Sequence, residues 1–425
     1  MKKIWFPALL LAAALSGCGE TKTADRGATT EAIPKPLEPV TLKLYQQGQY
    51  FTDQDFATLI AEPVKKKYPH ITMEKVTSKV DLPQIVASGE QFDFFATWNG
   101  RMPFYKDLGI YGDLTPLAKK MGFDLSKFDQ GALNAVKVVS DKGELYAMPY
   151  TNDLYALYYN KDIFDKFGVP YPTDGMTWED VIELSRKLTR VDAGVQYSGF
   201  APQSLIRLMF PLSLNVVDAK TNAAGVNNDA YKRVFELGKQ IYSVPGNQYN
   251  KNPDSHFMKE KTLAMEANIG VFQLLKTAEG LNWDIVQYPS YKDKPNLYGF
   301  YNTGVIIPNK NSKNQEDIMR VYEVFFSDEV QSALVRKVGQ LSVLKDPKYN
   351  LMFGADIPQL QGKRIQSIFK SKPAPAPAYS IYYNQSYAIL NNKFIEVVTD
   401  KKDVNSALRE AEEEIKQSIE SAAKK

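Results

Sequence analysis

The amino-terminal part of the chain alternates between short apolar strands and amphipathic helices. In "PVTLKLY" (39–45) apolar and polar residues alternate, as they do in a half-buried strand. The segment 53–69 predicts a helix that begins at an aspartate and ends at a proline. "FDFFATW" (92–98) is a largely apolar run, which favours a strand buried on both faces of a parallel sheet. The pattern predicts an α/β sheet whose ligands gather at the carboxyl ends of its strands.

The rest of the chain is predicted to contain more helix. Thr177 is a candidate N-cap for a helix that runs through "VIELSRKLT". We expect residues 199–290 to be mostly helical, with one strand at "WDIVQYP" near their end. A single strand is predicted at 298–308, and two helices within 309–339. An apolar stripe predicts a final helix, and its members are Val404, Leu408, Ala411, Ile415 and Ile419.

The first 38 residues are typical of an export and anchoring segment. Lys2 and Lys3 precede an apolar run, 4–17, that is too short to span a bilayer of about 30 Å as a helix. Residues 15–18, Leu-Ser-Gly-Cys, resemble the lipobox of bacterial lipoproteins, whose cysteine carries a lipid. The alternative is an ordinary signal peptide with an unrelated cysteine. We expect a signal peptide at 1–17, a lipid on Cys18, and a flexible polar tether that ends at residue 38.

Composition and motifs argue against several classes of function. The net charge is +3, and removal of residues 1–17 with their two lysines leaves +1, with no dense basic cluster for nucleic acid. One cysteine excludes a disulfide within the chain. His70 and His256 are far apart in the sequence, and no zinc, phosphate-loop or nucleophile-elbow motif occurs. We therefore expect no cofactor, no metal site and no catalytic residue.

Three longer passages resemble the family 1 extracellular solute-binding proteins of bacterial ABC importers, the maltose-binding-protein-like group. The first is "GELYAMPYTNDLYALYYNKDIFDKFGVPYPTDGMTWEDVIELSRKLT", with the family's crossing strand and its "TWEE" helix. The second is "FMKEKTLAMEANIGVFQL". The third is "GVIIPNKNSKNQEDIMRVYEVFFSDEVQSALVRKVGQLSVLKD". They follow the family's order over most of residues 39–425.

The resemblance implies an α/β protein with the two-lobed periplasmic-binding-protein type II fold. Its lobes are joined by crossing hinge strands, expected near 149–153, 299–303 and 340–345. The amino lobe would comprise 39–151 and 301–343, and the carboxyl lobe 152–300 and 344–425. A ligand would lie between the lobes, which would close on it by hinge motion.

A ligand cleft needs aromatic faces and a few convergent polar groups, and a sugar suits it because it has an apolar face and many hydroxyls. We expect such groups at the ends of two strands, at the crossings, and in the segments "MEANIGVF" and "AYSIYYNQSY". The candidate ligand-binding residues are Tyr45, Gln46, Gln47, Trp98, Asn99, Arg101, Asn152, Asp153, Asn268, Tyr301, Asn302 and Tyr382. For Trp98, Arg101 and Tyr382, a structural role in the core or at a helix start is the alternative.

The resemblance also bears on two of these residues. Tyr382 matches a position where the family often has an aromatic platform for a sugar. Asn268 lies in the segment where the family has Gly-Pro-Trp, but here the sequence is Gly270-Val271-Phe272. The missing tryptophan removes one expected stacking platform, unless Phe272 replaces it.

Four functions are compatible with the sequence. The first is a monomeric transport receptor that binds a solute, such as a mono- or oligosaccharide, and delivers it to ABC permease subunits at the outer face of the bacterial cytoplasmic membrane. The second is a surface-anchored glycan-active enzyme that uses two carboxylates. The third is a receptor of the same fold for a peptide, a polyamine or a metal complex. The fourth is a lipoprotein sensor or adhesin without a transporter.

Overall fold

The structure is a computed structural model, and it describes residues 37–275 and 278–424. The predicted signal peptide, Cys18 and most of the predicted tether lie outside the described residues.

Two five-stranded sheets and one two-stranded ribbon form the framework. The strands are β1 (Val40–Gln47), β2 (Ile71–Ser78), β3 (Phe94–Trp98), β4 (Met148–Asn152), β5 (Tyr155–Asn160), β6 (Arg190–Asp192), β7 (Val195–Pro202), β8 (Leu263–Ile269), β9 (Trp283–Val286), β10 (Leu297–Phe300), β11 (Thr303–Pro308) and β12 (Lys372–Ala374).

Helices pack against both sheets. The α-helices are α1 (Asp53–Phe56), α2 (Glu62–Lys67), α3 (Leu82–Ala87), α4 (Thr115–Lys120), α5 (Gln130–Lys137), α6 (Lys161–Phe167), α7 (Trp178–Leu188), α8 (Leu205–Met209), α9 (Asp229–Tyr242), α10 (Pro253–Ser255), α11 (Phe272–Leu275), α12 (Gln315–Phe325), α13 (Asp328–Ala333), α14 (Lys348–Leu351), α15 (Tyr383–Val398) and α16 (Val404–Ala422). Turns of π-helix occupy Ala57–Ala61, His256–Glu260 and Leu334–Val338, and 3₁₀ turns occupy Asn99–Leu108, Leu125–Lys127, Phe210–Leu212, Pro358–Leu360 and Ile365–Lys370.

The first sheet has the strand order β2-β1-β3-β11-β4. β1 runs parallel to β2 and β3, whereas β11 runs antiparallel to β3 and β4. The carboxyl ends of β1, β3 and β4 therefore lie at the same edge as the amino end of β11. The expectation that "FDFFATW" lies in a parallel sheet is only half right, because β11 is an antiparallel neighbour. The strand is nevertheless buried, with Phe94 and Phe95 each 1% exposed.

The second sheet has the order β6-β7-β8-β5-β9. β7 is parallel to β8, while β5 is antiparallel to both β8 and β9. The carboxyl ends of β7 and β8 therefore share an edge with the amino end of β5. Since only two residues separate β4 from β5, this edge lies beside the edge of the first sheet at which β4 ends.

Two expectations about secondary structure are wrong. Residues 199–290 are not mostly helical, because they contain β8 and the last part of β7 in addition to the expected strand, which is β9. β8 has the sequence "LAMEANI", which lacks the β-branched pattern of a strand; it forms because both of its neighbours pair with it and bury it. The predicted single strand at 298–308 is divided between β10 and β11, which belong to different sheets.

Other helices agree with the sequence patterns. Thr177 caps α7 through a capping box with Asp180. The final helix, α16, packs on α15 and α9 through its predicted stripe. Four of the five predicted members are buried, namely Leu408, Ala411, Ile415 and Ile419, whereas Val404 is half-buried and Ala407, which was not predicted, is buried with them. One hydrophobic core surrounds the first sheet, and two others surround the second.

Candidate functional site

The chain passes between the two sheets in neighbouring segments. Asp153 follows β4 and Asn302 precedes β11, and they bond each other twice. The Asp153 backbone N–H donates to the Asn302 carbonyl at 2.9 Å, and the Asn302 amide donates to the Asp153 carboxylate at 2.6 Å. A third segment runs beside them, where the Thr151 hydroxyl donates to the Leu341 carbonyl at 2.9 Å. Leu341 packs in a core of the second sheet and Val343 in that of the first, so this segment also links the two.

Asp153 is a charged, partly buried residue at the point where the chain passes between the sheets. Burial raises the pKa of its carboxyl group, while the charge of Arg207 and the hydrogen bond from Asn302 act in the opposite direction. The Asp153 carboxylate therefore accepts a hydrogen bond from the Asn302 amide and interacts with the charge of Arg207, which lies on the side of the second sheet. Asn152 lies next to it at the end of β4, and its side-chain oxygen has no hydrogen-bond partner.

Trp98 and Asn99 follow β3 and take different roles. The Trp98 ring is partly buried and meets Tyr379 edge to face at 5.5 Å between ring centroids. Asn99 is 1% exposed, and its amide donates to the Tyr301 carbonyl at 3.2 Å. Its side-chain oxygen accepts from the Thr303 N–H at 3.1 Å. Asn99 therefore ties β3 to the start of β11, whereas Trp98 reaches across to the second sheet's core.

Arg101 lies on the first sheet's side of the same edge. Its guanidinium donates to Asp81 and, at 3.0 Å, to the Tyr105 hydroxyl, which itself donates to Asp81 at 3.1 Å. Tyr50 lies beside this group, and burial raises the pKa of its hydroxyl. Arg101 thus has protein partners for its charge.

The residues predicted at the end of β1 are engaged in the fold. Tyr45 is 2% exposed, packs on Phe92 and donates its hydroxyl to Glu90. Gln46 is 1% exposed and exchanges two hydrogen bonds of 3.0 Å with the backbone of Phe51. These two side chains therefore stabilise the core and the following turn and do not line the edge. Gln47 is partly exposed at the strand end.

Tyr301 and Tyr382 are half-buried at separate places. Tyr301 donates its hydroxyl to Asp129 at 2.9 Å, and its ring covers Gly131 so closely that an added Cβ there would lie 2.2 Å from the ring. Tyr382 precedes α15, where its backbone N–H donates to the Ser380 hydroxyl at 3.0 Å. Its ring packs against the core of the second sheet.

On the second sheet, Asn268 lies at the end of β8 between two acidic residues. It is fully buried, and its amide donates to Asp254 at 3.0 Å and to Glu266 at 2.7 Å. Glu266 is 1% exposed. Burial, and then the hydrogen bond and charge of Asp254, raise the pKa of Glu266 well above its ordinary value, while Asn268 and Arg207 act to lower it.

Arg207 of α8 connects this acidic pair to the crossing segments. Its guanidinium donates twice to the Gln203 side-chain oxygen, at 2.9 and 2.6 Å, and once to the Tyr155 hydroxyl at 3.1 Å. It also lies over the Tyr155 ring at 5.2 Å. Since Tyr155 begins β5, Arg207 is anchored directly beside the passage at Asp153.

A cavity of about 620 Å³ opens at the carboxyl end of β7. Its lining residues are Gln203, Ser204, Lys251, Asn252, Pro253, Asp254, Ser255, Met258, Lys259 and Leu274. The Gln203 side-chain nitrogen lies 3.5 Å from Asp254 Oδ2. The cavity thus offers amide, hydroxyl and carboxylate groups next to Arg207 and its partners.

Several of these residues were missed by sequence analysis. Gln203, Arg207, Asp254 and Glu266 all fall in the region expected to be helical, so the strand ends that position them could not be placed. Tyr387 on α15 is half-buried and packs parallel to Tyr383. Burial raises the pKa of Tyr387 to about 12, while Arg207 and Ser204 act to lower it. The tyrosine spacing in "AYSIYYNQSY" was the available signal for it.

The described part of the chain has neither a cluster of metal-ligating side chains nor a membrane-spanning helix. Within residues 37–275 and 278–424, no group of three or more histidine, cysteine, aspartate or glutamate side chains is placed to hold a metal ion. No helix among these residues combines the length and the apolar character needed to cross a membrane.

A family model described as bacterial extracellular solute-binding protein matches residues 49–347. The chain belongs to this family. The predicted resemblance to solute-binding proteins is thereby confirmed. Proteins of this family are transport receptors, so the prediction that this solute-binding protein is not an enzyme is also confirmed.

Curated relatives are distant. The sn-glycerol-3-phosphate-binding periplasmic protein UgpB of Agrobacterium fabrum is 24% identical over 203 residues, which cover 44% of this chain and 46% of that protein. The chain therefore spans less than half the length of that relative. UgpB of Brucella melitensis is 24% identical over 332 residues, which cover 71% of this chain and 74% of that protein.

Solved structures confirm the fold. The ABC substrate-binding protein Lmo0181 from Listeria monocytogenes, in complex with cycloalternan, matches with a TM-score of 0.72 at 19% identity, over 90% of this chain and 99% of that one. The sugar-binding protein MalE from Xanthomonas citri matches with a TM-score of 0.71 at 15% identity, over 89% and 97%. The predicted α/β periplasmic-binding-protein fold of this solute-binding protein is thus confirmed.

Proposed function

We propose that this solute-binding protein binds a neutral mono- or oligosaccharide at the cavity beside β7 and delivers it to the permease of an ABC importer. The names of the structural neighbours support a saccharide, since Lmo0181 is bound to cycloalternan and MalE is a sugar-binding protein. The site supports it independently, because amide and hydroxyl groups of Gln203, Ser204, Asn252 and Ser255 line the cavity.

The observation that carries this proposal is the state of the two arginines at the site. Arg101 is bound to Asp81 and Tyr105, and Arg207 to Gln203 and Tyr155. Each is therefore committed to protein partners, and neither is left over to pair with an anionic ligand. Gln203, Ser204 and Asp254 remain along the cavity as groups that donate to or accept from hydroxyls.

The predicted lobes are part of the proposal. The amino lobe would comprise 39–151 and 301–343, the carboxyl lobe 152–300 and 344–425, and a monomer would close by hinge motion at the crossing segments. A ligand bound preferentially in the closed form would shift the protein toward it.

Attachment to the membrane is a separate part of the proposal. We infer that the protein is held at the outer face of the bacterial cytoplasmic membrane by a lipid on Cys18. Two features support this, the position of Cys18 directly after an apolar run and its being the single cysteine of the chain. Cys18→Ala should move the protein from the membrane fraction to the soluble fraction, and its retention on membranes would exclude the lipid anchor.

One observation favours a second candidate ligand, sn-glycerol 3-phosphate, which the curated relatives are named for. Lys251 and Lys259 both line the cavity and are exposed. Two ammonium groups at its mouth could pair with a phosphate. Asp254 on the same wall opposes an anion, which is why we rank this ligand second.

A thermal-shift screen of the chain from residue 19 onward tests the proposal. The panel contains neutral mono- and oligosaccharides, sn-glycerol 3-phosphate, peptides and polyamines. A ligand at about a hundred times its dissociation constant stabilises the folded state by roughly 2.7 kcal/mol. We expect a shift with one saccharide and none with the phosphate. A shift with the phosphate, a peptide or a polyamine alone would overturn the saccharide proposal.

A further inference from the structure

The carboxyl groups of Asp254 and Glu266 form an unusual pair at the cavity. Glu266 lies in the middle of β8, opposite Tyr158 of β5, and is 1% exposed. Asp254 lies on α10 and lines the cavity itself. Asp254 therefore borders the cavity, whereas Glu266 lies farther from it.

Both carboxyl groups accept a hydrogen bond from the same amide. The Asn268 side-chain nitrogen lies 3.0 Å from Asp254 Oδ1 and 2.7 Å from Glu266 Oε1. A single neutral amide cannot balance two negative charges in a buried place. Two ionised carboxylates held so close would repel each other unless a cation or a proton lay with them.

Among the described residues, the side-chain hydrogen bonds that reach the pair come from the amides of Asn268 and Gln203 and not from a cation. Arg207 acts on Glu266 through its charge, but its hydrogen bonds go to Gln203 and Tyr155.

Lys251 and Lys259 line the cavity but are exposed, so water screens their charge from the buried Glu266. Within the described residues there is no cluster suited to a metal ion. A proton is the remaining source of positive charge.

We propose that Glu266 is a positioning residue that stays protonated at neutral pH and shares its proton with Asp254. The pair then carries one negative charge, and Asp254 Oδ2, the oxygen that Asn268 does not bond, is the acceptor for a ligand hydroxyl. Because it concerns the same cavity, the inference rests on the proposed function for its relevance to ligand binding. The protonation itself does not depend on that function.

The groups around Glu266 agree with this assignment. Burial is the largest cause of its raised pKa, followed by the hydrogen bond and charge of Asp254. Tyr158 on β5 and Tyr242 on α9 also face it, and burial raises the pKa of both hydroxyls. They remain neutral wherever Glu266 titrates, so they cannot supply a compensating charge.

The test is a pH titration of the ligand-free mature chain labelled with ¹³C at the glutamate side-chain carboxyl carbons. Glu266→Gln assigns the resonance by its disappearance. We expect that resonance to keep its protonated chemical shift at about pH 7, after the bulk of the glutamate carboxyls have titrated. The proposal is overturned when every glutamate carboxyl is ionised at about pH 7.

Asp254→Asn distinguishes a shared proton from burial alone. It removes the second negative charge and keeps the shape, so the midpoint of Glu266 should fall by about one pH unit or more. The matched control is His256→Gln, two residues along, which bonds Asn250 and Glu260 and not the pair. An unchanged midpoint in Asp254→Asn would refute the shared proton.

The wild-type spectrum tests the protonation of Glu266 even if a variant does not fold. Among the described glutamates with a shifted pKa, Glu266 is the one whose value is raised. A single late-titrating glutamate is then expected in the wild-type chain. No ligand is added in this experiment, so its outcome does not depend on the outcome of the saccharide screen. The two proposals are therefore tested separately.

Discussion

Replacement of Arg207 by methionine tests whether this side chain holds the second sheet's edge together. The guanidinium is 8% exposed, makes two hydrogen bonds to Gln203 and one to Tyr155, and lies over the Tyr155 ring. Methionine keeps the apolar stem and removes the charge. The substitution also leaves Asp153 and Glu266 without the cation that acts on both.

The expected loss follows from these contacts. A hydrogen bond to a charged group contributes about 1.5–3 kcal/mol, and the two bonds to one Gln203 oxygen are not independent. Loss of the guanidinium also leaves the buried Tyr155 hydroxyl without this partner, which costs about 1–3 kcal/mol. We therefore expect Arg207→Met to lower the free energy of unfolding by about 3–5 kcal/mol.

Urea unfolding followed by circular dichroism measures this difference. The matched control is Arg186→Met on α7, whose guanidinium pairs with Glu183 at 3.2 Å where the two side chains are 50% and 67% exposed. An exposed pair of this kind contributes little, so we expect no resolvable loss in the control. Equal transitions for the two variants would refute the structural role assigned to Arg207.

Three further predictions concern stability. Gly131→Ala should destabilise the fold by about 1–3 kcal/mol, because its Cβ would meet the Tyr301 ring at 2.2 Å; combination with Tyr301→Ala should cancel much of the loss in urea titrations. Thr177→Ala removes the α7 capping box with Asp180 and should cost about 1 kcal/mol by the same measurement, and no loss would show that the cap is unimportant. Because the pKa of Glu266 is raised in the folded state, its contribution to stability is complete at pH values below the unfolded pKa of about 4.3. As the pH rises from there to the folded pKa, the free energy of unfolding falls by about 1.4 kcal/mol per pH unit. Glu266→Gln should abolish this slope when unfolding is measured against pH, and an unaltered slope would contradict the assignment.

The framework could be predicted because its patterns are local. β1, β2 and β3 follow the alternation or apolar character of their own sequences, and α16 follows its stripe. The cap at Thr177 was likewise visible from one residue and its neighbours. Such features depend on the chain within a few residues of each position.

β8 could not be predicted because its state depends on distant partners. Alanine, methionine and glutamate favour helix in isolation, but β5 and β7 pair with this segment on both sides. The same long-range pairing brings Glu266 beside Asp254, so sequence analysis could not place either residue at the site. The candidate site on the second sheet therefore emerged from the structure.

On the first sheet, sequence analysis located strand ends but not side-chain directions. Trp98, Asn99 and Gln46 all follow or end strands as expected, yet only Trp98 reaches toward the second sheet's core, while Gln46 and Asn99 bond to backbone groups. Which face a residue occupies depends on register, and a shift of one position reverses it. Their ligand contacts remain predictions.

The central claim is that a saccharide binds at the cavity beside β7. The most direct test is isothermal titration calorimetry, in which the saccharide identified by the screen is titrated into the wild type, Gln203→Ala and Glu183→Gln. Glu183 lines a separate cavity of about 400 Å³ on α7, so it serves as the control. With melting temperatures checked for all three, we predict about tenfold weaker binding for Gln203→Ala, equivalent to about 1.4 kcal/mol, and unchanged binding for Glu183→Gln. Wild-type affinity in Gln203→Ala, or a loss confined to Glu183→Gln, would contradict the account.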